Sequence, residues 1–128
     1  ARVLTVLDGD INALKMAMFL QFALPGVPCI YYGDEAGMTG GTDPYNRGSF
    51  PWGRGDTSIT DFVRSLTALY QDTPLLRRGE CEMLFSGENV LGCRRYDENG
   101  SVLALVNRGE ETVECFGVAV PGRGYILE

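Results

Sequence analysis

Few residues of this chain have both the type and the spacing for chemistry. Asp34 and Glu35 stand side by side after Tyr31-Tyr32-Gly33; Asp43 and Arg47 follow in the same polar stretch, with Phe50 and Trp52 close behind. Two carboxyls that act on one bond must converge to about 5 Å. Neighbours at the end of an extended segment point to opposite sides, so Asp34-Glu35 reads as a structural pair that bonds backbone amides or a nearby loop. No residue is assigned a catalytic role. Asp43 offers an acceptor carboxylate and Arg47 a fixed fork of donors, which suits them to pair and hold their loop. Phe50 and Trp52 read as aromatic packing under that loop. Cys29, Cys81, Cys93 and Cys115 are far apart with no CxxC pair, and there is no His. That is poor material for a metal site, so the cysteines read as free buried thiols and no metal or cofactor is expected.

The elements that must position these residues divide the chain. Its 128 residues are 45% hydrophobic, enough for one ordinary domain or a domain with part of another, and not a disordered tail. A net charge of -6 disfavours nucleic-acid phosphates and anionic membranes as partners. No signal peptide is evident, the 11–24 stretch is too short and polar for a membrane span, and unpaired cysteines suggest a cytoplasmic protein.

A helix is expected from about Ile11 to Ala23, capped by Asp8 or Asp10 and stopped at Pro25-Gly26. It is apolar on nearly every face, the mark of a helix sandwiched between layers. Leaving its large side chains exposed at about 1.5 to 3 kcal/mol each would exceed a domain's net stability. The cover must come from the C-terminal strands or from self-association through this helix. Cys29-Ile30-Tyr31-Tyr32 reads as a short strand buried on both faces, and residues 33–57 as a loop too long for a connector. Ile59, Phe62, Val63, Leu66, Leu69 and Tyr70 then mark a second helix behind a Ser58-x-x-Asp61 capping pattern, closed by Pro74. Beyond it come strands near Cys81–Phe85, Asn89–Tyr96, Val102–Val106, Val113–Val118 and Tyr125–Leu127. Turns are expected at Asn99-Gly100 and Asn107-Arg108-Gly109.

The run Pro25-Gly26-Val27-Pro28-Cys29-Ile30-Tyr31-Tyr32-Gly33-Asp34-Glu35, followed by Asp43-Pro44-Tyr45-Asn46-Arg47 and Phe50-Pro51-Trp52, closely resembles the eighth-strand region of glycoside hydrolase family thirteen, the α-amylase family. It looks most like the neopullulanase and cyclomaltodextrinase branch. The resemblance continues through Leu75-Leu76-Arg77-Arg78-Gly79-Glu80 and Val102-Leu103-Ala104-Leu105-Val106-Asn107-Arg108, and so covers almost the whole chain.

The resemblance implies an α+β fragment: the last helix-strand-helix unit of a (β/α)₈ barrel over residues 1–74, then a C-terminal antiparallel β-sandwich over 75–128. Such barrels place their sites at the C-terminal ends of the strands, which puts the 33–52 loop on the active-site face. Asp43 and Arg47 match family positions that hydrogen-bond a bound α-glucan, and Trp52 can pack against a sugar face. The family's nucleophile, acid/base and third carboxylate lie on earlier strands, the third in a His-Asp motif just before the segment matched by Ala1–Thr5. The implied function is that of the C-terminal piece of a retaining α-glucan-acting glycosidase, inactive by itself. The alternative is a noncatalytic carbohydrate-binding or assembly module. Gly48, where relatives often carry a basic residue, weakens any finer substrate assignment.

Overall fold

A computed structural model describes all residues, 1–128. α1 is a single turn, Val3–Val6. α2 spans Ile11–Ala23, and Asp10 rather than Asp8 caps it, accepting from the Ala13 N–H at 3.0 Å. After a 33-residue stretch broken only by a 3₁₀ turn at Asp34–Ala36, α3 runs Thr57–Asp72. Its cap is Asp56, whose carboxylate accepts from the Ser58 and Ile59 N–H groups, so the expected Ser58 capping box is displaced by two residues. Pro74 does close α3, and it also opens the short α4, Pro74–Arg78, where its missing N–H costs nothing.

β1 (Glu80–Ser86), β2 (Val90–Asp97), β3 (Gly100–Asn107) and β6 (Gly124–Leu127) form an antiparallel sheet in that order. β4 (Val113–Cys115) and β5 (Val118–Val120) form a separate hairpin. The 113–118 stretch is therefore two strands, not one. Phe116 and Gly117 both take positive φ there, the conformation a tight two-residue turn demands. The β2–β3 turn sits at Glu98-Asn99, one residue earlier than expected. Asp97 accepts from the Asn99 and Gly100 N–H groups and so fixes the reversal there.

The sheet has two covered faces because its side chains alternate. Ala104 and Val106 of β3 join Cys93 in the larger core with Leu14, Phe19 and Phe22 of α2 and Ile59, Phe62 and Leu66 of α3. Leu103 and Leu105 point the other way, onto Val120 of the hairpin. The apolar α2 is thus covered within the chain: Phe19 stacks on Tyr125 of β6 at 4.7 Å between ring centroids.

Cys29–Tyr32 differs from expectation. No strand lies beside it, and none of its four backbone N–H groups donates within the chain. A β-favouring run becomes a strand only when a partner supplies the ladder. It runs instead as a ridge between two mainly apolar grooves. One, of about 350 Å³, is lined by Leu14, Ala17 and Met18 among others; the second, of about 460 Å³, includes Phe22, Val63 and Tyr70; Ile30 lines both. No helix is long and apolar enough to cross a membrane.

Candidate functional site

The loop after this ridge is held from both sides. Tyr31-Tyr32 leads into Gly33, whose φ of +92° turns the chain and whose tight contact with Met38 leaves no room for a Cβ. The two carboxylates that follow are engaged by the chain itself. Asp34 receives the Arg2 guanidinium at 2.9 Å, and Glu35 folds back to accept from the Gly33 N–H at 2.7 Å. Burial pushes the Asp34 carboxyl above its ordinary value, and burial prevails over the opposing pull of Arg2.

Arg2, 2% exposed, is the hub beneath the loop. Its Nη1 also donates to the Tyr32 carbonyl at 2.7 Å, its Nε to the Asn46 carbonyl at 3.0 Å, and its backbone N–H to the Gly40 carbonyl at 2.9 Å. The guanidinium carbon lies 4.6 and 4.8 Å from the ring centroids of Tyr31 and Tyr32. Thr5 Oγ1 accepts from the Gly40 N–H, and the Tyr32 hydroxyl donates to the Gly48 carbonyl. Nothing in the sequence singled out Arg2. A lone Arg gives no local signal of burial, because its surroundings come from residues thirty to forty-four positions away.

Above this base the loop presents the residues that the family resemblance picked out. Asp43 Oδ1 and Arg47 Nε are 2.6 Å apart, with side chains 60% and 67% exposed. So open a pair contributes little to stability and leaves its remaining hydrogen-bonding capacity facing solvent. Trp52 is 82% exposed, and its ring rests against Phe50 at 4.6 Å without being packed beneath the loop. Tyr45 is similarly exposed. Of the cysteines, Cys93 is buried, Cys81 and Cys115 are partly covered, and Cys29 is exposed; all four are free thiols.

Residues 1–78 match the family described as alpha amylase, catalytic domain. The chain belongs to the alpha-amylase family. It is 42% identical over 114 residues to an amylopullulanase of Thermoanaerobacter thermohydrosulfuricus, covering 80% of this chain and 8% of that protein. It is 38% identical over 117 residues to a cyclomaltodextrinase of Geobacillus thermopakistaniensis, covering 88% and 20%. The chain thus spans no more than about a fifth of either. Among solved structures, a cyclic alpha-maltosyl-(1→6)-maltose hydrolase from Arthrobacter globiformis superposes with a TM-score of 0.91 at 31% identity, over 99% of this chain and 31% of that one. These are relatives of the neopullulanase and cyclomaltodextrinase type within the alpha-amylase family, as the 25–47 motif implies.

Proposed function

We propose that these residues serve an α-glucan-acting retaining glycosidase. Residues 1–74 form the last helix-strand-helix unit of its barrel and 75–128 its C-terminal sandwich. Asp43, Arg47 and Trp52 are its glucan contacts, and the bond-cleaving carboxylates are not among these 128 residues. The observation that carries the reading is the exposed Asp43–Arg47 pair and an exposed Trp52 on one loop of an alpha-amylase-family chain. Sugar hydroxyls both donate and accept, so a carboxylate beside a guanidinium suits them, while an indole face covers their C–H surface. Relatives named for acting on pullulan-type and cyclic maltodextrin substrates support the substrate class.

Titration calorimetry with maltoheptaose tests the contacts. Weak, saturable binding that Arg47→Ala abolishes supports them, and equal binding by both proteins removes Arg47 from the site. A reducing-sugar assay on pullulan and cyclomaltodextrin tests the catalytic half, because measurable hydrolysis lost on Glu35→Gln would contradict it.

A second reading, assembly, is favoured by the ridge at Cys29–Tyr32, whose unpaired N–H groups and flanking grooves suit an added strand. In the barrel reading that strand belongs to the parent enzyme. In the alternative it comes from a second copy, with the surface around α2 buried between protomers. Sedimentation velocity over a concentration series separates them, since a compact monomer at all concentrations excludes the second copy.

A further inference from the structure

We propose that Arg2, together with Thr5, is the positioning clamp of the Asp43–Arg47 loop; its consequence for glucan binding rests on the reading above. The loop closes on itself at Gly40. A Cβ there would lie 2.6 Å from the Tyr45 carbonyl oxygen and 2.8 Å from Asn46 Cα, so the neck is at van der Waals limit. Both sides of that neck are bonded to the first turn of α1. The Gly40 carbonyl accepts from the Arg2 N–H and the Gly40 N–H donates to Thr5, while the Asn46 carbonyl, one residue before Arg47, accepts from Arg2 Nε.

The chemistry requires Arg. One planar guanidinium simultaneously serves Asn46 on the loop and Tyr32 and Asp34 on the turn below it. An ammonium gathers its three donors on one nitrogen and cannot reproduce the separate Nε and Nη1 positions that reach Asn46 and the lower pair. A guanidinium is expensive to bury with one carboxylate as its partner, and the orientation it holds is rigid because its side chain is wholly buried. Arg2 Nη2 and Asn46 Oδ1 are the buried side-chain polar atoms left without a partner. They are a donor and an acceptor on the two residues of this contact. By contrast the Asp43–Arg47 bridge lies within the loop and ties it to nothing below.

The test compares wild type, Arg2→Lys, Thr5→Val and Arg47→Ala by hydrogen–deuterium exchange and by maltoheptaose titration. Arg2→Lys is expected to leave α2 and the β2–β3 peptides protected while exchange in residues 40–48 speeds about tenfold, the equivalent of one lost hydrogen bond. Maltoheptaose binding is expected to weaken as it does in Arg47→Ala, although all three contact side chains are retained. Thr5→Val loosens the same peptide without disturbing a buried charge, and it carries the test if Arg2→Lys does not fold. Unchanged exchange in the loop of a folded Arg2→Lys protein overturns the clamp, as does faster exchange spread evenly over sheet and loop. A loosened loop with undiminished affinity, where Arg47→Ala loses it, overturns the link to binding. If Arg47→Ala binds as wild type does, Arg47 leaves the site, and if neither binds the glucan contacts fail; in both cases the exchange data still decide the clamp.

Discussion

Arg95 Nη1 donates to the carbonyl of Ala23 at 2.9 Å, so the second strand of the sheet is bonded to the last residue of α2. The same guanidinium reaches Leu76 at 2.8 Å, Gly79 at 2.7 Å and Glu80 at 3.2 Å, all through backbone carbonyls. The ends of α2 and α4 present the negative ends of their helix dipoles to it, which is how a cation 2% exposed is accommodated without a carboxylate. Arg95→Met fills the space but leaves those carbonyls unsatisfied, and is expected to cost about 3 kcal/mol. Arg94→Ala, which removes an open pair with Glu82, is expected to cost at most about 1 kcal/mol. Urea denaturation of the two variants checks the contrast.

Asp10 caps α2 and binds Arg123 near the far end of the chain. The Arg123 hydrogen bond, and then the Ala13 N–H, hold its carboxyl below the usual range; Asp10 in turn holds Arg123 above its own. A carboxylate whose folded value is depressed contributes stability that is complete above the unfolded value, about 3.9, and is lost as pH falls through the folded one. Asp56, lowered chiefly by the Ser58 hydroxyl, behaves in the same sense. Asp10 and Asp56 should therefore lower the melting temperature as pH drops below about 4, against the opposite contribution of Asp34, whose carboxyl burial raises. Asp10→Asn should lie below wild type at neutral pH and converge with it in acid. A gap that persists at low pH would mean that charge is not the source of the effect.

Much of this fold is legible from short-range pattern. α2 and α3 follow from continuous and from three-to-four-residue apolar spacing, and the β1–β3 meander from alternation. What escaped depends on partners distant in sequence. Cys29–Tyr32 has strand composition and no ladder, and the β4–β5 hairpin hides behind an apolar run because an aromatic, Phe116, takes the first left-handed turn position. Asp43 and Arg47 were marked by the family resemblance and by their fitness to pair, whereas the two buried arginines were not marked at all. Arg2 and Arg95 look like any surface Arg until the chain is folded around them.

The cysteines predict their own order of reaction. Burial pushes the Cys93 thiol up to about 12, with the adjacent Cys81 adding to the shift, and its Sγ donates to the Ala23 carbonyl at 3.6 Å. A thiol reacts through its thiolate and needs access. Cys29, on the exposed ridge, should be the first modified by a disulfide reagent in native conditions, and Cys93 only on unfolding. Peptide mapping after timed labelling reads the order, and early modification of Cys93 would mean that the sheet opens beside α2.

Gly92 tests the sheet itself. It faces Leu105 in the β2–β3 register, and a Cβ there would come within 1.9 Å of the Ala104 carbonyl oxygen and 2.8 Å of Leu105 Cα. Those are backbone atoms of the central strand, whose faces are committed to two cores, so neither can move aside without parting the ladder. Gly92→Ala should therefore cost about 3 kcal/mol or more, despite adding one methyl group. Gly87, in the β1–β2 turn, has φ +60° and open space around it, so Gly87→Ala meets only the left-handed penalty of about 1 kcal/mol. If denaturation midpoints place the two variants together, conformational freedom rather than close approach is what Gly92 provides.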